Sequence, residues 1–234
     1  MTTKPGSPNF AAVPATAPLA LFDMDRTLVE THTAKLYVRF QRDQGEMGAW
    51  MALRASIWLA QYTLGIVNAE SVAERVLRDY RGKDADWLLE RCRGWFSEYV
   101  EPEVSPVGRR RVREHVERGS HVAIATSAVR QIAQPLAEHL GIPDLVCSEL
   151  EQRNGRLTGE FCQPLCYAEG KRERAQALAA SLGTRLSLAT FYTDSITDAP
   201  LLEAVGQPVA VNPDSRLRRL AQRRGWRMEN WLSR

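Results

Sequence analysis

Four short apolar runs, each stopping abruptly at polar residues, restrict what this 234-residue chain can fold into. Residues 18–22 (PLALF) run into Asp23, residues 121–125 (HVAIA) into Thr126 and Ser127, residues 188–192 (LATFY) stop just before Asp194, and residues 208–211 (PVAV) stop before Asn212. Unbroken apolar runs of this length, without polar alternation, suit strands buried on both faces. Helical patterns cover 106–117, 129–139, 171–182, 199–205 and 216–224. Strand and helix therefore alternate, which predicts an α/β fold: a Rossmann-like, three-layer core with a parallel sheet between helices. In such sheets ligands bind outside the carboxyl ends of the strands. The polar tips of the four runs are where a site is expected.

Between residues 33 and 104 the alternation disappears. The stretch reads as helical throughout, with Tyr37, Trp50, Trp58, Tyr62, Trp87, Trp95 and Phe96 at core-like spacings. Ordinary packing accounts for these aromatics. We read the stretch as a small helical cap inserted after the first strand, above the sheet's active end. Residues 149–161 carry Asn154-Gly155 between two strand-like segments, the strongest hairpin signal in the chain. The expected division is a flexible tail over 1–17, a catalytic core over 18–33 and 105–234, and the cap over 34–104.

Composition narrows the function classes. A formal charge of +3 is too mild to argue for nucleic acid, yet tolerates an anionic substrate. The basic stretch 216–227 alternates with Leu217, Leu220 and Ala221, and reads as the solvated face of a final helix. Residues 50–67 come nearest to an apolar span, but Arg54 and Gln61 make them amphipathic, so no membrane span is expected. The first 17 residues lack a basic start and a sustained apolar stretch, so they do not read as a signal peptide. With only four cysteines, Cys92, Cys147, Cys162 and Cys166, reduced thiols in the cytoplasm are the simplest expectation. Cys162 and Cys166 lack partners at zinc-site spacing, and the four histidines are scattered.

The chemistry gathers at the strand tips. In FDMDRTL, Asp23 and Asp25 stand two apart, with Thr27 two further on. Two carboxylates there repel unless a cation or a shared proton reconciles them, and Mg²⁺ with its preference for oxygen ligands is one such cation. Asp23 would then attack phosphorus while Asp25 protonates the leaving oxygen. Taken alone, the pair fits a turn with two capping carboxylates equally well. Thr126 and Ser127 offer hydroxyls and amides to a phosphoryl group, although Thr126 alone also fits a helix N-cap. Lys171 opens a helix, where a basic residue opposes the dipole and calls for a nearby anion. The alternative is a solvated surface lysine. Asp194 and Asp198 follow a strand, one suited to a metal and the other to supporting that metal or orienting Lys171, or else they are an N-cap with a solvated neighbour. Four ordinary alternatives would have to coincide, in this order, to produce the pattern by accident.

These residues resemble the haloacid dehalogenase superfamily of phosphatases, particularly its phosphoserine phosphatase branch. FDMDRTL matches the first motif, IATS the second, Gly170-Lys171 the third and TDSITD the fourth, across about residues 19 to 212. The resemblance implies that Asp23 is the nucleophile and Asp25 the general acid/base. It implies that Mg²⁺ is held by the Asp23 carboxylate, the Asp25 backbone carbonyl and Asp194. Thr126 and Lys171 match phosphate-binding positions and Asp198 the second acid of the last motif. The aspartate at 25 favours phosphatase over dehalogenase chemistry. Where phosphoserine phosphatases carry a glutamate for the substrate amine, this chain has His32, which puts serine phosphate in doubt. The last motif also departs from the usual pattern at Ser195 and Thr197. His32 and, in the cap, Arg54, Trp58 and Arg75 are the candidate substrate contacts. The expectation is a magnesium-dependent phosphatase acting on a small phosphorylated metabolite. A phosphotransferase to an alcohol and a non-catalytic regulatory module are the alternatives.

Overall fold

The computed structural model describes residues 17–45 and 80–232. The expected tail, apart from Ala17, lies outside the described residues, as do Arg54, Trp58, Arg75 and the other aromatic positions of 46–79.

Seven strands form one sheet in the order β4-β3-β2-β1-β5-β6-β7. They are β1 (Leu19–Phe22), β2 (His121–Val129), β3 (Asp144–Arg153), β4 (Arg156–Cys162), β5 (Thr190–Thr193), β6 (Gln207–Val211) and β7 (Arg227–Glu229). All neighbours are parallel except β3 and β4, the hairpin that turns at Asn154 and Gly155, both with positive φ. The four apolar runs are the four central strands, β2, β1, β5 and β6. The sequence reading did not contain the parallel first half of β3 or the edge strand β7. The residues of β7 (RME) are mostly exposed and carry no apolar run.

Side chains alternate between two cores. Ala20 and Phe22 of β1 join Val122, Ile124 and Val209 on one face, while Leu19 and Leu21 join Ala123, Phe191 and Ala210 on the other. Each fully buried Phe or Leu contributes roughly 1.5–3 kcal/mol relative to exposure. The first face is covered by α3 (Pro106–Glu117) and α4 (Arg130–Leu140), which contribute Val112, Ala133 and Leu136. The second is covered by α5 (Glu169–Ser181), α6 (Ala199–Ala204) and α7 (Ser215–Arg224), through Ala175, Ala179, Leu201, Leu202, Leu217 and Ala221. The three-layer arrangement follows directly from strands that are apolar on both sides.

The stretch after β1 holds α1 (Thr33–Asp43) and α2 (Ala85–Trp95) among the described residues. Its entry and exit run side by side: Val29 and Val104 form an antiparallel bridge, Glu30 N–H donates to the Glu103 carbonyl at 2.8 Å, and Ser105 N–H to that of Leu28 at 2.9 Å. Both helices pack into the core proper. Phe40, Trp95, Phe96 and Val100 belong to the same cluster as Phe22, and Leu88 and Cys92 pack on Leu150 and Leu157 of the hairpin. No helix of the described residues is long and apolar enough to cross a membrane. All four cysteines are free thiols, three of them buried.

Candidate active site

The strand order places β2 on one side of β1 and β5 on the other, so the chain's winding reverses at the carboxyl end of β1. That crevice is where open α/β sheets take their ligands. Asp23 is the first residue past β1, and its N–H donates to the Tyr192 carbonyl on β5 at 2.8 Å. Its carboxylate is therefore fixed by a strand-like backbone rather than by a loose turn.

Lys171 joins two of the predicted aspartates. Its ammonium lies 3.1 Å from Asp23 Oδ1 and 2.8 Å from Asp198 Oδ1, and the lysine is only 3% exposed. Asp198 Oδ2 also accepts from the Thr193 hydroxyl at 2.6 Å. Helix α5 begins at Glu169, two residues earlier than the sequence suggests, which puts Lys171 within its first turn. Gly170 is required there: a Cβ at that position would lie 2.0 Å from the Leu165 carbonyl oxygen. The alternative of a solvated lysine is ruled out, as is that of a solvated neighbour at Asp198.

Burial raises the Asp23 carboxyl to about 7, Lys171 opposing and Asp198 and Asp25 reinforcing the shift. Burial likewise pushes Asp194 well above the usual carboxylate range, with Asp23 adding to it and Arg26 opposing. Burial alone would lower the Lys171 ammonium, but Asp198 and Asp23 more than offset it and hold it above the ordinary lysine range. The site thus concentrates negative charge that the lysine only partly neutralises.

The remaining predicted residues surround this core. Asp25 Oδ1 accepts from the Thr33 N–H at the start of α1 at 2.9 Å, and His32 Nδ1 lies 3.8 Å from Asp25 Oδ2. Asp25 is thereby placed at a helix N-terminus, where a carboxylate is favoured. Thr27 is buried and its hydroxyl finds no hydrogen-bond partner among the described residues. Thr126 is buried two residues beyond Ile124, the partner of Phe22 in register, whereas Ser127 is exposed. Thr126 does not cap α4, whose N-cap is Val129; its hydroxyl accepts from the Ala128 N–H at 3.2 Å. Asp194 is buried against Arg26, Nε to Oδ2 at 3.1 Å.

Two residues to which the sequence pattern assigns no role enter here. Arg26, inside the first motif, adopts a left-handed backbone (φ 53°) and carries the cation that meets Asp194. Asn212, at the tip of β6, donates from Nδ2 to the Arg26 carbonyl at 2.6 Å. The strand-tip rule that finds Asp23 and Asp194 also points to Asn212, because it is the first polar residue after the fourth run.

The donor set suits a hard dication. Asp23 and Asp194 offer carboxylate oxygens that are buried and destabilised as anions, and among the described residues no three His, Cys, Asp or Glu side chains converge into a cage. A pair of carboxylates suits Mg²⁺, which keeps several waters and shares its shell with substrate phosphate.

Fold and site together define an α/β protein with a cluster of buried aspartates and one lysine at the switch point of its sheet. The family model for haloacid dehalogenase-like hydrolases matches residues 20–203. A histidinol-phosphatase of Neisseria meningitidis is 29% identical over 218 residues, covering 91% of this chain and 98% of that protein. A phosphoserine phosphatase of Mycobacterium tuberculosis is 28% identical over 220 residues, covering 91% of this chain and 70% of its own length. A solved structure from Bordetella pertussis Tohama I, of unknown function, superposes with a TM-score of 0.82 at 31% identity, covering 92% of this chain and 98% of the other. The chain belongs to the haloacid dehalogenase-like hydrolase family of enzymes.

Proposed function

We propose that this enzyme is a magnesium-dependent phosphatase that hydrolyses a small phosphate monoester through a phosphorylated Asp23. The observation that carries the reading is the buried Asp23–Lys171–Asp198 chain at the switch point, with Asp25 held two residues from the nucleophile.

Bound between Asp23 and Asp194, with the Asp25 backbone carbonyl as a further ligand, Mg²⁺ would supply charge stabilisation for the transferring phosphoryl group. Lys171 opposes the effect of burial on Asp23, favouring its ionised form, and adds a positive charge beside the phosphoryl oxygens. Thr126, with Ser127 next to it, presents donors from the neighbouring strand β2, whose register with β3 shifts between Ala125 and Val129. Asp25 protonates the leaving oxygen and then takes a proton from the attacking water, its carboxylate aimed by Thr33 N–H. Phosphoryl transfer rests mainly on such positioning and electrostatics. Asp198 and Thr193 orient Lys171. Among the described residues, His32 is the candidate contact to the leaving group, since it flanks Asp25 at the start of α1. The division into a core over 18–33 and 105–234 and a cap over 34–104 fits the bridged neck at Val29 and Val104. A small phosphorylated metabolite in the cytoplasm is the substrate class this reading favours, in line with the two phosphatases it resembles.

The test is phosphate release from histidinol phosphate, phosphoserine and a generic aryl phosphate, with Mg²⁺ or with a chelator. Release that needs Mg²⁺ supports the reading and ranks the substrates. Turnover unaffected by chelation would refute the metal's role.

A further inference from the structure

The family match ends at residue 203, yet the loop bearing Asp23 and Asp25 is tied to residues well beyond it. Asn212 is 7% exposed and has a left-handed backbone (φ 44°), which asparagine tolerates better than most side chains. Its side-chain amide is used at both ends. Nδ2 donates to the Arg26 carbonyl at 2.6 Å, and Oδ1 accepts from the backbone N–H groups of Trp231 at 2.7 Å and Leu232 at 3.3 Å. Its own N–H donates to the Glu229 carbonyl at 2.9 Å.

A second connection runs through aromatic rings. Trp231 is 2% exposed and lies 5.3 Å, centroid to centroid, from Tyr192. Tyr192 stacks on Phe22 at 4.7 Å with only 8° between the planes, and its carbonyl accepts from Asp23 N–H. Phe22 immediately precedes Asp23. The segment 227–232 thus reaches the loop twice, once from Arg26 and once from beneath Asp23.

We propose that Asn212 and the 227–232 segment it captures are positioning elements of the Asp23–Asp25 loop, fixing the left-handed turn at Arg26 and the floor under the nucleophile. The kinetic part of this inference rests on the phosphatase reading above; the structural part does not. None of these groups touches the reacting atoms. Their contribution is to hold Asp23 and Asp25 at a fixed separation, where a small displacement is costly in rate.

Four variants separate the two connections. Asn212→Asp keeps an acceptor for Trp231 and Leu232 and loses the donor to Arg26, and Asn212→Gly removes both while accepting the backbone angle. Trp231→Ala removes the ring and Trp231→Phe restores one. The first readout is amide hydrogen exchange over residues 23–31, where Asp23, Arg26 and Val29 N–H groups are bonded to Tyr192, Thr31 and Met24 carbonyls. Exchange there is expected to accelerate in Asn212→Asp, Asn212→Gly and Trp231→Ala, with α3 and β2 keeping their protection. The second readout is steady-state turnover of an aryl phosphate with Mg²⁺. We expect kcat to fall between about tenfold and a hundredfold with KM little changed, and Trp231→Phe to recover most of it. Exchange over 23–31 equal to wild type, or raised evenly across the sheet, would overturn the proposal. Wild-type protein inert toward every ester would defeat the phosphatase reading instead, and the exchange result would still decide the positioning claim.

Discussion

Lys171 Nζ lies 2.8 Å from Asp198 Oδ1, with both side chains no more than 4% exposed. A second carboxylate, Asp23, shares the same ammonium, so the lysine compensates two buried anions at once.

Lys171→Met should therefore damage the fold as well as the chemistry. Removing one partner of a buried charge network leaves the other uncompensated, at a cost of about 3 kcal/mol or more. Urea unfolding with the midpoint as readout checks this, and the same variant is expected to lose turnover. An unchanged midpoint would show that Asp198 and Asp23 relax by taking up protons instead.

Asp25→Asn separates rate from stability. An asparagine Oδ1 can still accept from Thr33 N–H, so the turn and the start of α1 should persist. The proton transfers to the leaving group and from water are lost, and kcat is expected to fall roughly 10²-fold or more with the melting temperature unchanged. Steady-state kinetics beside thermal unfolding distinguish the two effects.

Arg26 and a dication address the same carboxylate of Asp194, and two cations on one oxygen pair compete. Arg26→Gln is expected to bind Mg²⁺ about tenfold more tightly, equivalent to about 1.4 kcal/mol. Isothermal titration with Mg²⁺ alone reads this directly. Weaker binding would mean that Arg26 instead orients Asp194 for the metal.

His115 makes stability depend on pH away from the site. Burial lowers its imidazole to about 4, with Arg118 and Arg111 contributing, while its Nε2 meets the Tyr192 hydroxyl at 2.9 Å. The folded state thus holds the proton less tightly than the unfolded chain. Stability is full above the unfolded value near 6.5 and is lost as pH falls from there through about 4. The ring is partly screened by solvent, so the loss is on the order of 2 kcal/mol. Denaturant curves at pH 7.5 and 4.5 should differ for wild type and differ less for His115→Gln.

The central sheet and most of the site are legible in the sequence because their physics is local. A strand buried on both faces must be an uninterrupted apolar run, as LALF and PVAV are, and polar residues at its end mark the crevice. The hairpin announces itself through Asn154-Gly155. By contrast, β7 is short and exposed, and its existence depends on pairing with β6, which no local pattern encodes. Arg26 looks like any loop arginine until the left-handed turn carries it to Asp194, 168 residues away. The roles of Asn212 and Trp231 are likewise created by long-range contacts. Sequence can name the aspartates and pair Lys171 with one of them, but it does not show that Arg26 meets Asp194.

The central claim is that Asp23 takes the phosphoryl group. Rapid acid quenching during turnover of an aryl phosphate with Mg²⁺, followed by peptide mass mapping, tests it most directly. A phosphoryl adduct on the peptide containing Asp23, absent from Asp23→Asn, is the expected result; an adduct on another residue, or an Asp23→Asn enzyme that still turns over with Mg²⁺, would contradict the account.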